Sequence, residues 1–334
     1  MRIAIDAMGG DRAPAAPVAG GVAALAEHTD VELTLVGDVA RIEAELDALD
    51  APAATRGRVV VHDAPEVAGG GDPVKAIRAS EKVSARACAE LLRAGSVDGV
   101  VTMGNTGAAV AAATLYCKRL AGVKRLGIAV PFPRADGATV VIDAGANPDA
   151  RPEHLRQYAI MAAQYARHAL GVSAPRVGIL SIGEEEYKGN RTVADTWALF
   201  REHPVEGFIG NVEPREFFED RADVVVSDGF TGNVALKAAE GMAELLLGML
   251  PDVLGSEHAG LVTPIAGGIA QRVDYAKYGG APLLGVDGGY LIGHGRSGAE
   301  AFQSAVGVIR SYVTHDVGHR IVEALAHVPQ GEGA

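Results

Sequence analysis

The sequence predicts an α/β fold with a mostly parallel β-sheet, and three observations carry that prediction. Short Val- and Ile-rich runs alternate with helical patterns along the whole chain, the mark of βαβ units. Most of those runs end in a loop rich in Gly, Asn and Asp, and one strand–loop–helix junction occurs twice. The 334 residues contain 43 Gly but only 16 Pro and few aromatics, a composition suited to many tight strand-to-helix turns.

Taken in order, strands are expected at Arg2–Asp6, Val31–Val36, Val59–His62, Gly99–Thr102, Gly127–Pro131, Thr139–Asp143, Val177–Ser181, Gly207–Gly210 and Asp223–Ser227. In open α/β sheets ligands gather beyond the carboxyl ends of strands. Here those ends read Asp6–Asp11, Gly104–Gly107, Asp143–Asn147, Gly183–Asn190, Gly210–Glu213 and Asp228–Asn233. None is the G-x-G-x-x-G fingerprint or the P-loop G-x-x-x-x-G-K-[ST], so nicotinamide and nucleoside triphosphate readings lose their usual warrant.

The repeated junction is Asp98–Ala108 and Asp223–Asn233. The two match at the Asp, the Val pair, the hydroxyl (Thr102, Ser227) and Gly-x-Thr-Gly. Unpaired N–H groups in a helix's first turn, with the peptide dipoles aligned behind them, attract anions. Each copy alone also reads as an ordinary tight turn. Two copies in two halves point to a pair of phosphate-cradling loops on a shared cleft.

A formal charge of −12 speaks against a general nucleic-acid binder, which needs a clustered basic surface. The two cysteines, Cys88 and Cys117, lie in alanine-rich helical patterns with no C-x-x-C spacing, so neither a disulfide framework nor a zinc site is expected, and no other metal or cofactor is. The chain starts directly on a strand without signal-peptide features, and no apolar run reaches the roughly 18 residues of a spanning helix, so a cytoplasmic protein is expected.

No Pro- or Ser-rich linker divides the chain. It reads as a single catalytic domain of two interlocked halves, 1–135 with 280–334 and 136–279. Within the second, residues 240–254 crowd Met242, Leu245–Leu247, Met249, Leu250, Val253 and Leu254 onto a helix expected to break at Pro251, followed by a second apolar stretch from Leu261. This segment, 240–278, reads as a core or dimer-interface helix pair in preference to a membrane-touching surface, since only Arg272 and Lys277 supply positive charge nearby.

The ordered motifs resemble the phosphate acyltransferase (PlsX) family, which converts acyl-(acyl carrier protein) and phosphate to acyl phosphate for phospholipid synthesis. They are Ile5–Asp11, Gly104–Ala108, Asp143–Asn147, Gly183–Glu184 with Lys188–Asn190, Phe208–Glu213, Asp228–Asn233 with Lys237, Tyr278–Ala281, and His294–Gly295 with Ser297. The chain departs from the family pattern at Ser80–Ser84, at Val101–Met103 and at Gly293. The resemblance implies a three-layer α/β/α, isocitrate-dehydrogenase-like or phosphotransacetylase-like fold and a homodimer. It also implies loose peripheral contact with the inner face of the membrane and hand-over of product to a glycerol-3-phosphate acyltransferase.

The chemistry can be argued from the residues as well. Phosphate near neutral pH is partly dianionic, with a second pKa of about 6 to 7, and a thiolate leaves readily, so no acyl-enzyme is required. Such an enzyme must hold phosphate in line with a thioester carbonyl and stabilise the oxyanion that forms. Backbone N–H groups at Thr106–Gly107 and Gly232–Asn233 are the candidates for that. Lys188, Lys237, His294 and Arg191 are candidates for the phosphate dianion, with Lys188 first because it sits in a glycine-bounded strand-end loop. Asn105, Asn147, Thr231 and Asn233 are possible donors that also suit turns and caps. Asp6 and Asp228 are expected to orient a cation or backbone N–H groups. Gly9, Gly10, Gly104, Gly107, Gly229, Gly232 and Ser297 complete the expected substrate-binding set. A basic run, Lys118, Arg119, Lys124 and Arg125, is read either as the docking patch for acidic carrier protein or as cations at a helix C-terminus. The alternatives are a phosphotransacetylase-like enzyme using acyl-CoA or a short acyl group, an oxidoreductase on the same fold, and a non-catalytic membrane scaffold.

Overall fold

The computed structural model describes residues 1–255, 258–273 and 279–327; Lys277 and Tyr278, both named above, lie outside them, as does the rest of 274–278. The chain divides into two compact units, Met1–Leu126 with Gln164–Val172 and Tyr278–Ala334, and Gly127–Ala163 with Ser173–Lys277. The first boundary falls nine residues earlier than the sequence suggested, and 164–172, the end of one long helix and the three residues after it, joins the first unit.

The first unit opens with β1 (Arg2–Asp6), α1 (Ala15–Glu27), β2 (Glu32–Gly37), α2 (Val39–Ala48), α3 (Ala53–Arg56), β3 (Val59–Asp63), α4 (Pro73–Arg78), α5 (Ser84–Arg93), β4 (Gly99–Thr102) and α6 (Thr106–Tyr116). β1 pairs parallel with β2 on one side, Ile3 against Leu33, and with β4 on the other, Ile3 against Gly99. Helices cover both faces of such strands, so their sequences are continuously apolar, and Ile3, Ala4, Ile5, Val100 and Val101 are fully buried.

The second unit contains β5 (Gly127–Ile128), β6 (Val130–Pro133), β7 (Ala138–Ile142), the greater part of α7 (Pro152–Ala169), β8 (Val177–Leu180), α8 (Arg191–Glu202), β9 (Phe208–Val212), β10 (Val224–Val226), α9 (Gly229–Leu254) and α10 (Ala259–Val273). Its sheet runs β6-β7-β10-β8-β9, parallel except for β6 against β7. The single strand expected at Gly127–Pro131 is thus two short ones, the second reversing along β7.

The expected break at Pro251 is corrected: α9 continues through it to Leu254 and ends at Gly255, whose N–H donates to the Pro251 carbonyl. A proline in the last turn forfeits one backbone bond and leaves the preceding turn's carbonyl to solvent, a smaller penalty than in a packed interior. Met242, Leu246, Met249 and Val253 on α9 stay exposed, and with Ile269 on α10 they wall a groove of about 1100 Å³ that also reaches Ser181, Asn190 and Thr231.

The chain then re-enters the first unit with β11 (Ala281–Leu284), β12 (Gly289–Ile292), α11 (Ala299–Thr314) and α12 (Val317–Ala326). β11 and β12 form an antiparallel pair, and β12 lies parallel to β4, giving the side-by-side order β3-β2-β1-β4-β12-β11. This pair was not anticipated. Pro282 argues against a strand, and Gly285, Gly288 and Gly289 read as loop.

Candidate active site

The repeated junction has a structural counterpart on the neighbouring strand, also repeated. Ile5–Asp6–Ala7 ends β1 and Ile142–Asp143–Ala144 ends β7. β1 lies parallel to β4, and β7 lies parallel to β10. The hydroxyl in each junction reaches the aspartate beside it: Thr102 Oγ1 donates to Asp6 Oδ2 at 2.8 Å, and Ser227 Oγ has two carbonyl acceptors, Asp228 at 2.9 Å and Asp143 at 3.2 Å. The junction's leading aspartate fastens the other end of the sheet. Asp98 accepts from the Arg2 N–H at 2.7 Å and Asp223 from the Arg176 N–H at 2.9 Å.

The two copies differ in what they leave open. In the first unit Asn105 caps α6, its Oδ1 accepting from the Ala108 N–H at 2.9 Å while its carbonyl accepts from Ala109. The N–H groups of Thr106 and Gly107 have no protein partner among the described residues, and both residues are exposed. Beside them is a cavity of about 360 Å³ lined by Asp6, Gly9, Asp11, Ser84, Thr102 and Asn105, among others. Two open amides at a helix N-terminus, between residues that line a cavity, suit an oxyanion.

In the second unit the corresponding amides are consumed. Asp228 caps α9, taking the Thr231 N–H at 2.8 Å and the Thr231 hydroxyl at 2.8 Å; the Gly229 N–H goes to the Asn147 carbonyl, and the Gly232 N–H to the Asp228 carbonyl. The expectation that Gly232 and Asn233 offer free N–H groups is therefore corrected. α9 starts at Gly229, three residues earlier than such a role needs, so both amides lie inside helical bonding. Gly229 and Gly232 serve close approach instead: a Cβ on Gly229 would lie 2.7 Å from Asp143 Oδ2, and one on Gly232 would run into the Asp143 carbonyl oxygen.

The remaining expected residues are placed as follows. Asp6 is buried and faces the cavity; burial pushes its carboxyl up, opposed by the Ser84 and Thr102 hydroxyls and the Met8 and Gly9 N–H groups. A Cβ on Gly9 would meet Asp6 Oδ2 at 2.9 Å, and Gly10, at φ +95°, approaches the carbonyls of Met103 and Gly295. Gly104 lines the same cavity. His294 accepts the Arg296 N–H at Nδ1, 3.2 Å, and its carbonyl accepts from Ser297, so both shape the turn that meets the Gly10–Asp11 loop through Asp11 N–H and Gly295 carbonyl, 2.8 Å apart.

Asn147 commits its amide hydrogens to Asp143 Oδ2 at 3.2 Å and the Tyr158 hydroxyl at 2.9 Å, which turns it into loop scaffolding. Asn233 packs beside Gly145. Lys188 sits in a loop whose backbone is held by Ser181 Oγ, 3.1 Å from the Lys188 carbonyl; its stem crosses Gly183 and its ammonium lies 5.6 Å from the Tyr187 ring centre. Arg191 is 93% exposed and pairs with Asp195 at 3.4 Å. Lys237 does not bend back toward the α9 turn; its ammonium pairs with Glu240 at 2.7 Å, one turn further along.

The basic run is also corrected. α6 ends at Tyr116 with no cation in its last turn, because Cys117 is extended. Lys118, Arg119, Lys124 and Arg125 instead project from a loop tied to Gly285–Asp287, the Leu120 N–H donating to the Gly285 carbonyl and the Asp287 N–H to the Lys118 carbonyl, each at 2.9 Å.

Two departures from the family pattern compensate each other. A Cβ on Gly293 would lie 2.6 Å from Met103 Cγ, so the methionine occupies the room a side chain at 293 would take. Ser84, in the third departing stretch, is among the groups bonded to Asp6. Cys88 and Cys117 are buried, with burial pushing the Cys88 thiol well up and the Cys117 thiol to about 12, so neither is a nucleophile at neutral pH. Sequence reasoning missed Ser84, Thr102, Asp143 and Ser227 as site-building residues; the I-D-A tripeptide shared by β1 and β7 was the available signal.

A family model described as "Fatty acid synthesis protein" matches residues 1–320. The chain is 42% identical over 332 residues to the phosphate acyltransferase of Trichlorobacter lovleyi, across 98% of this chain and 95% of that one. It is 47% identical over 311 residues to the phosphate acyltransferase of Thermus thermophilus, across 92% and 93%. Among solved structures it is similar in fold to a phosphotransacetylase from Streptococcus pyogenes, with a TM-score of 0.61 at 17% identity over 95% of this chain and 94% of that one. A branched-chain phosphotransacylase from Enterococcus faecalis gives a TM-score of 0.52 at 12% identity over 93% and 99%.

Proposed function

Because this chain belongs to the fatty acid synthesis family that includes the phosphate acyltransferases, we propose that it makes acyl phosphate from inorganic phosphate and a fatty acyl thioester of acyl carrier protein. A phosphate oxygen attacks the thioester carbonyl, the carbonyl oxygen becomes an oxyanion, and the C–S bond breaks to release a thiolate that takes a proton from water. No acyl-enzyme forms. The observation that carries this reading is the open amide pair of Thr106 and Gly107, the proposed oxyanion donors, flanked by Asn105 and Ala108 in the wall of the Asp6-lined cavity. Lys188 is the proposed cation for phosphate, and Arg191, Lys237 and His294 are secondary, given the partners they already have.

A long acyl chain is favoured over acetyl by the apolar groove of about 1100 Å³ along α9, whose wall includes Thr231 and Asn190. Acidic carrier protein is proposed to dock on the exposed loop carrying Lys118, Arg119, Lys124 and Arg125. Leu245 and Leu261, exposed on α9 and α10 outside the groove, are the proposed contact for a second copy of the chain or for a membrane surface. The location proposed is cytoplasmic, with product passed to a glycerol-3-phosphate acyltransferase; no described helix is long and apolar enough to cross a membrane.

The test is phosphate-dependent release of free carrier thiol when protein, acyl-carrier protein and phosphate are mixed, run beside long-chain and acetyl thioesters of coenzyme A. Release that needs phosphate and favours the carrier supports the reading. Preference for acetyl-CoA would transfer it to a phosphotransacetylase-like enzyme, and no release from any donor would end it.

A further inference from the structure

The strand-end carboxylates Asp6 and Asp143 occupy matching places but do different things. Asp6 faces a cavity, whereas Asp143 lines neither cavity described above and has no exposed surface. Its carboxylate accepts five N–H bonds. Oδ1 takes those of Ile128 at 3.0 Å, Gly145 at 3.1 Å and Ala146 at 2.9 Å, and Oδ2 takes the Asn147 backbone at 2.6 Å and side chain at 3.2 Å. Its main chain is held as tightly, with Asp143 N–H donating to the Ser227 carbonyl at 3.1 Å and the Asp143 carbonyl accepting Ser227 Oγ at 3.2 Å.

The loop it organises is the seat of α9. The Asn147 carbonyl takes the Gly229 N–H at 2.9 Å, and neither Gly229 nor Gly232 leaves room for a methyl group against Asp143 or Asn147. The start of α9 carries Thr231, which lines the apolar groove, and Asn233, packed on Gly145. A carboxylate saturated with donors cannot act as a base toward substrate, and it is the one side-chain type that can take N–H groups at both oxygens.

We propose that Asp143 is a positioning residue for acyl transfer: it sets the 144–147 backbone and, through the Asn147 and Asp143 carbonyls, the first turn of α9, whose Thr231 lines the proposed acyl groove. This rests on the functional reading above, and the experiment separates the two.

Asp143→Asn has nearly the same shape, but whichever way the amide turns, its NH₂ meets N–H donors, so the loop must shift. A misplacement of about 1 Å, even one arising away from the chemistry, can cost up to roughly a hundredfold, so kcat per folded molecule is expected to fall at least about tenfold. The comparison is Asp223→Asn, a second buried carboxylate of the same unit that lies at the start of β10, away from the loops. It is expected to lower Tm while keeping kcat within about twofold, the pattern of a structural group. Ser227→Ala keeps the carboxylate and removes the hydroxyl that reaches the Asp143 carbonyl at 3.2 Å and the Asp228 carbonyl at 2.9 Å; kcat is expected to drop about two- to fivefold, matching loss of one hydrogen bond of about 0.5–1 kcal/mol.

Phosphate-dependent thiol release is measured with kcat and KM separated, alongside Tm for all three variants. An active wild type with Asp143→Asn behaving like Asp223→Asn overturns the positioning role alone. Should Asp143→Asn fail to fold, unchanged kcat in Ser227→Ala overturns it equally. An inactive wild type would sink the functional reading and this inference together.

Discussion

The carbonyl oxygen of Asp143 stands where a Cβ on Gly232 would be, so the strand end of β7 and the first turn of α9 touch backbone to backbone. Gly232→Ala is therefore expected to destabilise the protein by about 1–3 kcal/mol, the usual penalty for an atom forced into filled space. Gly69→Ala, where a Cβ meets nothing within 4 Å, should change stability by no more than about 0.5 kcal/mol or raise it slightly. Denaturant unfolding of the two variants checks the contrast, and equal stabilities would contradict the packing described.

Asn105→Asp separates capping from ligand binding. Aspartate caps as well as asparagine, so Tm should stay within about 2 °C, consistent with near-equal cap preferences. A negative charge beside the Thr106 and Gly107 amides competes for them with any oxyanion, and kcat/KM should fall by about tenfold or more, short of the roughly hundredfold or greater loss on removing a donor outright. Unchanged kcat/KM would take the oxyanion away from α6.

Lys188→Ala should cut turnover more than about tenfold, the loss expected for one charge-assisted contact to a phosphate dianion. Its loop is held by backbone bonds through Ser181 and Asn211, so folding should be preserved. Cys88→Ala with Cys117→Ala should leave turnover per folded molecule nearly intact, since both thiols are buried and protonated. Wild-type rates in the lysine variant, or an inactive but folded cysteine variant, would overturn these roles.

Asp223 gives a pH dependence of known sign. Burial alone would raise its carboxyl, but hydrogen bonds from the Arg176 side chain and backbone and from Arg134 bring it down to about 2, against 3.8 unperturbed. A carboxyl lowered on folding contributes stability above the unfolded value and loses it as pH falls through the folded one. The contribution is thus present above pH 3.8 and disappears on acidification to about 2. Tm of the wild type should drop across that window more steeply than Tm of Asp223→Asn, and parallel curves would show that the Arg134–Asp223–Arg176 network adds nothing.

The α/β class, most strand positions, the repeated junction and the order of the family motifs were legible from the residues alone. These depend on buried apolar runs, turn glycines and caps such as Asn105, Asn190 and Asp228, whose partners lie within about four residues along the chain. The β11–β12 pair escaped because its Pro and Gly residues carry loop signals that pairing across the sheet overrides.

What sequence determined by itself was the presence of two similar strand–loop–helix junctions and the chemistry each could offer an anion. Only the tertiary structure decided that the Thr106 and Gly107 amides stay open while those at Gly229, Thr231 and Gly232 are spent on Asn147 and Asp228. Whether a donor is available depends on every group that folding brings to it from elsewhere in the chain, and the Asp143–Asn147 loop reaches the α9 turn across more than 80 residues.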